Sequence, residues 1–307
     1  MEAIGTEDLK LGMELISRLP EIMPDQADDR IRPIYEDIKN TFRVPIVNFF
    51  FRVLANYPFY LVSAWNEFGP CLRTVKLEKA ADNLRSAALL EPVPDSSGLE
   101  WPPVADLFRI RAFTDTIHYL LPKLLLVATA FHEGFLRNVR ASGRDVPGSG
   151  EQIPPGVAQG TVSIPMVNPE ETKGTLRAVF DEIKERHGHP EVATYYRSLG
   201  HWSRFLLGLW ERVKPRVASP SYEQRKRALL GQALWALEDC CPSWKDFTIK
   251  ESLSSRELEE IRALCAVFRY RLIPDLLLDV SLIKAMLDGP EAARISRFSF
   301  TPRGGHS

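Results

Sequence analysis

The chain has 307 residues, a formal net charge of -1 and 45% hydrophobic residues, enough to bury a substantial core in one large domain or two coupled ones. The charge balance argues against nucleic acid or an anionic membrane as partner; no run of about 18 apolar residues is present to span a bilayer. The opening, MEAIGTEDLKLGMELISRLP, is acidic and amphipathic and lacks the basic start and apolar stretch of a signal peptide. A cytoplasmic protein is the expectation, with Cys71, Cys240, Cys241 and Cys265 as reduced thiols at no metal-ligand spacing and the Cys240-Cys241 pair packed on a helix end.

In chain order, residues 1–30 read as an N-terminal segment. Ile34, Tyr35, Ile38 and Phe42 then share one helix face. Pro45 follows and is expected to open the next helix at its first turn, with Val47, Phe50, Phe51 and Leu54 inside it and a boundary near Pro58. Further helices are expected at 78–90 and 101–139, the second broken at Pro122. Residues 141–167, with ASGRDVPGSG and IPPGVAQG, form a linker. Helix resumes at Asn168-Pro169-Glu170-Glu171, Asn168 being the cap. Val179, Phe180 and Ile183 mark a helix that stops at Gly188, and Pro190 opens another. Helices at 222–238 and 255–287, the latter broken at Pro274, precede a basic, mobile tail at 291–307. No alternating strand pattern is present, so the chain is read as all-α.

Two stretches repeat. Ile34–Pro70 and Val179–Pro215 align without a gap at an offset of 145, matching Ile38, Lys39, Pro45, Val47, Arg52, Leu54, Leu61, Trp65 and Pro70 to identical residues. A second anchor, Leu121-Pro122-Lys123-Leu124-Leu125-Leu126, returns as Ile273-Pro274-Asp275-Leu276-Leu277-Leu278 at an offset of 152. Units this long exceed solenoid periods of about 20–50 residues. They imply two similar helical halves, 31–140 and 168–290, forming an intramolecular pseudo-dimer with one site between them. The recurrence of Arg52 as Arg197 suggests a structural ion pair, with Glu36 or Asp181 as the acid.

YEDIKNTFRVPIVNFFFRVLANYPFYLVSAW, LLPKLLLVATA and IPDLLLDVSLIKAMLDG resemble the group I 2-haloacid dehalogenases, the cofactor-independent type that accepts both stereoisomers, over about residues 32–290. The resemblance implies an all-α fold of two similar halves around a single active site. It also implies a hydrolytic displacement in which an aspartate activates water to attack the halogen-bearing carbon directly. The residues that would do this do not carry over. The aspartate position falls at about Tyr195, beside Thr194; an asparagine position falls at Leu121, a tryptophan position at Ile46 and a tyrosine position at Arg269. Phe49 alone matches, and between Pro190 and Trp202 the single carboxylate is Glu191.

Several residues carry alternative readings. Tyr195 and Tyr196 are either functional or core packing, and a tyrosine with a pKa near 10 is a poor base at pH 7. Asp115 and His118, three apart on one helix face, are an oriented acid/base pair or an ordinary polar patch. Arg269 holds a substrate carboxylate or lies exposed on a helix. Glu191 follows a helix-opening proline and stabilises that helix more readily than it catalyses. His187, His189 and His201 invite a metal, but no acidic partner completes a site in sequence, and His187 suits a helix C-terminus. No P-loop, dinucleotide fingerprint, nucleophile elbow or zinc helix is present, so no cofactor is expected.

The leading reading is an enzyme whose reaction has diverged toward isomerisation, elimination or cyclisation of a small, largely apolar molecule. Tyr195, His118 and Asp115 would be its catalytic groups, and Ile46, Phe49, Leu121, Thr194 and Arg269 would contact substrate. The alternatives are hydrolytic dehalogenation with water activated by a different carboxylate, or a small-molecule binding protein without catalysis. A homo-oligomer is compatible with the composition.

Overall fold

The computed structural model describes residues 6–136, 150–240 and 253–300. Twelve α-helices make up the described chain: α1 Thr6–Arg18, α2 Ile31–Phe42, α3 Phe49–Leu54, α4 Pro58–Leu72, α5 Val75–Ala88, α6 Val104–Leu136, α7 Gly174–His187, α8 Thr194–Leu199, α9 Ser203–Val213, α10 Pro220–Cys240, α11 Ser255–Val267 and α12 Ile273–Asp288. Among the described residues there is no strand, so the all-α expectation is met. No helix there is long and apolar enough to cross a membrane.

α12 lies at the centre, buried all round from Ile273 to Leu287, as a helix apolar on every face must be. α6 runs beside it, with Leu124, Leu125, Leu126 and Val127 fully buried. α1 closes on α11 so tightly that a Cβ on Gly12 would stand 2.3 Å from the Ala263 carbonyl oxygen. Only glycine allows that approach.

α6 is continuous through Pro122, where a break was expected. Proline at this position deprives the His118 carbonyl of its intrahelical donor. Arg85 replaces it: its Nε donates to the His118 carbonyl at 3.3 Å and its Nη2 to that of Tyr119 at 3.2 Å. Pro45 and Pro190 also behave differently from expectation. Neither opens a helix; α3 begins at Phe49 and α8 at Thr194. In the first copy Asn48 sets the start, its side chain accepting from the Phe50 N–H at 3.0 Å.

Local geometry recurs at the offset of 145. The residues ending α2 and α7 are left-handed, Arg43 at φ 64°, ψ 34° and Gly188 at φ 63°, ψ 37°. Those opening α4 and α9 are Tyr57 at φ −121°, ψ 67° and Trp202 at φ −119°, ψ 63°. Trp65 donates its indole N–H to Asp37 at 2.8 Å, and Trp210 donates to Glu182 at 2.9 Å.

The basic tail is not free throughout. Phe298 is buried, Ser299 donates to Asp82 at 2.6 Å and the Phe300 N–H to Glu78 at 3.2 Å. Residues 301–307 lie outside the described residues, as does Cys241. Cys240 ends α10, and Cys71 and Cys265 are buried.

Candidate active site

α3 and α8 are six-residue helices that each bring their first residues to one cavity. Its walls pair up by the two sequence offsets: Asn48 with Ala193, Phe49 with Thr194, Leu121 with Ile273, and Leu124 with Leu276. Glu191, Val192, Phe268 and Leu272 complete it. The space is narrow, about 30 Å³, where one water needs about 10–15 Å³. The lining is apolar apart from Asn48, Glu191 and Thr194.

The paired positions differ in chemistry. Asn48 is buried and its carboxamide oxygen is committed to capping α3, which leaves its NH₂ as the free donor. Ala193, at the matching position, provides no cap for α8. Glu191 is the one ionisable side chain on the lining. Glu191 is exposed overall; partial desolvation raises its pKa from the ordinary carboxylate value, although Lys184 and Arg197 pull the other way. It precedes α8 by three residues, so the role expected for it at a helix's first position does not apply.

A π-turn, Phe268–Leu272, joins α11 to α12, an arrangement common at functional sites. It turns both Phe268 and Leu272 toward the cavity, with Phe268 packed edge-on to Phe49 at 5.4 Å. Arg269 is consequently neither exposed nor on the lining. It is 3% exposed, donating to Glu133 at 2.5 Å and to His132 Nδ1 at 2.9 Å. Burial and then the Arg269 charge push the His132 pKa down to about 3.

Of the residues singled out in sequence, Phe49, Leu121 and Thr194 line the cavity, whereas Ile46 is not on the lining and packs half-buried against the core. Tyr195 does not reach it. One position along α8 from Thr194, its side chain turns into the core, where its hydroxyl meets Thr114 Oγ1 at 2.9 Å and its ring stacks on Phe113. Burial raises its pKa further. Asp115 and His118 are not a pair. Asp115 binds Lys284 and, at 3.2 Å, Arg297. His118 is buried with Nε2 unpartnered, and burial followed by the Arg85 charge holds its pKa well below 6.5. The sequence reading missed Asn48, whose signal was a cap residue before an apolar run, and Leu124 with Leu276, whose signal was the repeated leucine anchor.

His187 and His189 do have acidic partners, supplied by α12. His187 Nε2 lies 2.9 Å from Asp279 and His189 Nε2 lies 3.0 Å from Asp275. Ligand atoms of His187, His189 and Asp275 fall within 4.8 Å of one another, as a metal would require. Both carboxylates are already partnered, however. Lys226 donates to Asp275 at 2.9 Å, while Tyr196 and Tyr222 donate to Asp279 at 2.8 and 3.0 Å. A divalent cation here would have to face the Lys226 ammonium, so the cluster fits a buried ionic network better than a metal centre. His201 is elsewhere, exposed and bonded to the Pro165 carbonyl.

Comparison with known proteins places these observations in a wider setting. A family model described as Halocarboxylic acid dehydrogenase DehI matches residues 45–196, which include the α3 and α8 walls. An (R)-2-haloacid dehalogenase of Pseudomonas putida is 27% identical over 286 residues, covering 88% of this chain and 92% of that protein. A configuration-inverting 2-haloacid dehalogenase of Alcaligenes xylosoxydans xylosoxydans is 29% identical, covering 91% and 97%. The solved structure of a D-2-haloacid dehalogenase in complex with L-LA superposes with a TM-score of 0.76 at 25% identity, covering 88% of this chain and 96% of that one.

Proposed function

The chain belongs to the 2-haloacid dehalogenase family, and on that premise we propose that it hydrolyses a small 2-halogenated carboxylic acid in the cavity between α3 and α8. Water attacks the halogen-bearing carbon, the carbon–halogen bond breaks with its electron pair leaving as halide, and Glu191 takes the proton. The products are a 2-hydroxy acid and halide. The observation that carries this reading is that Glu191 is the one ionisable side chain on the lining. Its raised pKa makes it a stronger base than an ordinary carboxylate. Asn48 NH₂ and the Thr194 hydroxyl are the hydrogen-bonding groups left to orient the acid or the water. A three-carbon acid exceeds the present cavity, so binding requires lining side chains to move apart.

A second reading rests on the same lining, which carries no cationic side chain to hold a carboxylate. That favours an apolar substrate, with Glu191 moving a proton in an isomerisation or elimination. Halide release from each enantiomer of 2-chloropropionate separates the two. Release that Glu191→Gln abolishes supports hydrolysis. Absence of release from either enantiomer rejects it for this substrate and leaves the apolar alternative.

A further inference from the structure

The correspondence between the halves reaches upstream of both helical repeats. The Ile22 N–H donates to the Arg52 carbonyl at 3.1 Å, and at the offset of 145 the Val167 N–H donates to the Arg197 carbonyl at 3.2 Å. Asn56 donates to the Pro20 carbonyl at 2.9 Å, and His201 meets the Pro165 carbonyl at 3.0 Å. Residues 20–22 and 165–167 are therefore matching straps, one docked on the end of α3 and the other on the end of α8. Their middle residues differ: Glu21 in one and Met166 in the other.

That difference leaves one carboxylate for two arginines. Glu21 Oε2 lies 2.7 Å from Arg52, and Glu21 Oε1 lies 2.8 Å from Arg197. Met166 Sδ stands 4.0 Å from Arg52. Arg52 is 3% exposed, so its guanidinium has little water to compensate it and depends on Glu21. Arg52 also donates to the Val47 carbonyl and lies 6.0 Å over the Phe49 ring, which holds the Asn48-Phe49 wall. Arg197 lies one turn beyond Thr194 on the opposite wall. The acids first considered for these arginines are engaged elsewhere, Glu36 with Lys39 and Asp181 with Arg177 and Lys184.

We propose that Glu21 is the positioning residue of this site, a single carboxylate that fixes the separation of the α3 and α8 walls by bridging Arg52 and Arg197. The inference rests on reading the cavity as the active site. Without the Glu21 charge, the two guanidinium groups lose the carboxylate that pairs with both of them, and the walls move apart.

The test is hydrogen exchange on the full chain, read with halide release from 2-chloropropionate and the bulkier 2-chlorohexanoate. Glu21→Gln is expected to speed exchange in 49–54 and 194–199 together by about tenfold, and to shift preference toward the bulkier acid. Glu21→Asp keeps the charge and should recover part of both effects. Adding Arg197→Gln to Glu21→Gln removes one of the facing cations and should restore part of the protection of α3, the remainder being the unpaired Arg52 charge. Faster exchange confined to residues near 21, or strictly additive effects in the double variant, overturns the proposal. If Glu21→Gln does not fold, Arg197→Gln alone decides: α3, which carries no substitution, loosens if Glu21 links the walls and stays native if it does not. Absence of halide release by the wild type rejects the hydrolytic reading, while the exchange data still decide the bridge.

Discussion

Glu191→Gln tests the proposed chemistry with the smallest change of shape. Glutamine keeps the length and hydrogen-bonding capacity of the side chain but cannot take a proton. A positioned base contributes about 10²–10⁴ in rate, so kcat should fall by that factor, a barrier increase of about 3–5 kcal/mol. No other lining side chain can substitute, because the remaining polar groups are Asn48 and Thr194. The pH dependence has a definite sign. The base must be ionised, and desolvation raises its pKa, so kcat/KM should rise with pH through a value above the ordinary carboxylate range. Stability should run the other way. A carboxyl whose folded pKa is raised binds more protons folded than unfolded, so stability falls as pH rises from its unfolded value, about 4.3, through the folded one. Glu191→Gln should remove its contribution to that slope, a small one for a side chain this exposed. The measurements are initial rates of halide release from both enantiomers between about pH 4 and 9, and urea unfolding over the same range. Retention of activity within about threefold would refute Glu191 as the base, as would a wild-type acid limb lying below the ordinary carboxylate range.

Other consequences concern the buried network and the residues outside the cavity. Lys226→Met leaves Asp275 buried without its ammonium, and urea unfolding should register a loss of about 3–5 kcal/mol. Tyr195→Phe removes one buried hydroxyl bond to Thr114; unfolding should detect a loss of about 1 kcal/mol, with kcat/KM for any substrate within about twofold of wild type. Burial alone would lower the His187 pKa, but the Asp279 carboxylate overrides it and the net shift is upward. Its contribution to stability is therefore complete below the unfolded value of about 6.5 and lost as pH rises through the folded one. Asp279→Asn should flatten the decline in unfolding free energy above that pH, and an unchanged slope would remove His187 as its source.

The helices were legible because their apolar spacing is strong, and their starts were not, because a start is set by a cap. Pro45 looked like a first helical residue, yet α3 begins four positions later, where Asn48 can accept from Phe50. Pro122 looked like a break, and the remedy was Arg85, a residue 37 positions away in sequence whose guanidinium occupies the stranded carbonyls. The cavity was legible where it depended on the repeat, as with Phe49, Leu121 and Thr194. It was not legible where adjacent residues on a short helix diverge. Thr194 and Tyr195 are neighbours in sequence, but one faces the cavity and the other is wholly buried against Phe113. The partners of His187 and His189 were invisible for a different reason: Asp275 and Asp279 belong to α12, more than 80 residues downstream.

The residues matched by the sequence repeat indicate what the scaffold requires and what it leaves free. Beneath the repeated proline, the first half buries Lys123 against Glu78 at 2.5 Å. At the matching position the second buries Asp275 against Lys226 at 2.9 Å. The sign of the central residue has reversed while the pair has persisted. The requirement is thus neutrality at a buried point, not a particular charge. It carries a cost, since burial pulls the Lys123 pKa down to about 8 even with Glu78 beside it. The indoles of Trp65 and Trp210 show the same tolerance, donating to Asp37 in one case and to Glu182 in the other. At the cavity the pairs are not interchangeable: Asn48 matches Ala193 and Phe49 matches Thr194 in sequence. A fold that tolerates reversal in its interior but matches donor to methyl and aromatic ring to hydroxyl at the cavity concentrates its asymmetry where, on the proposed function, a single substrate is oriented one way round.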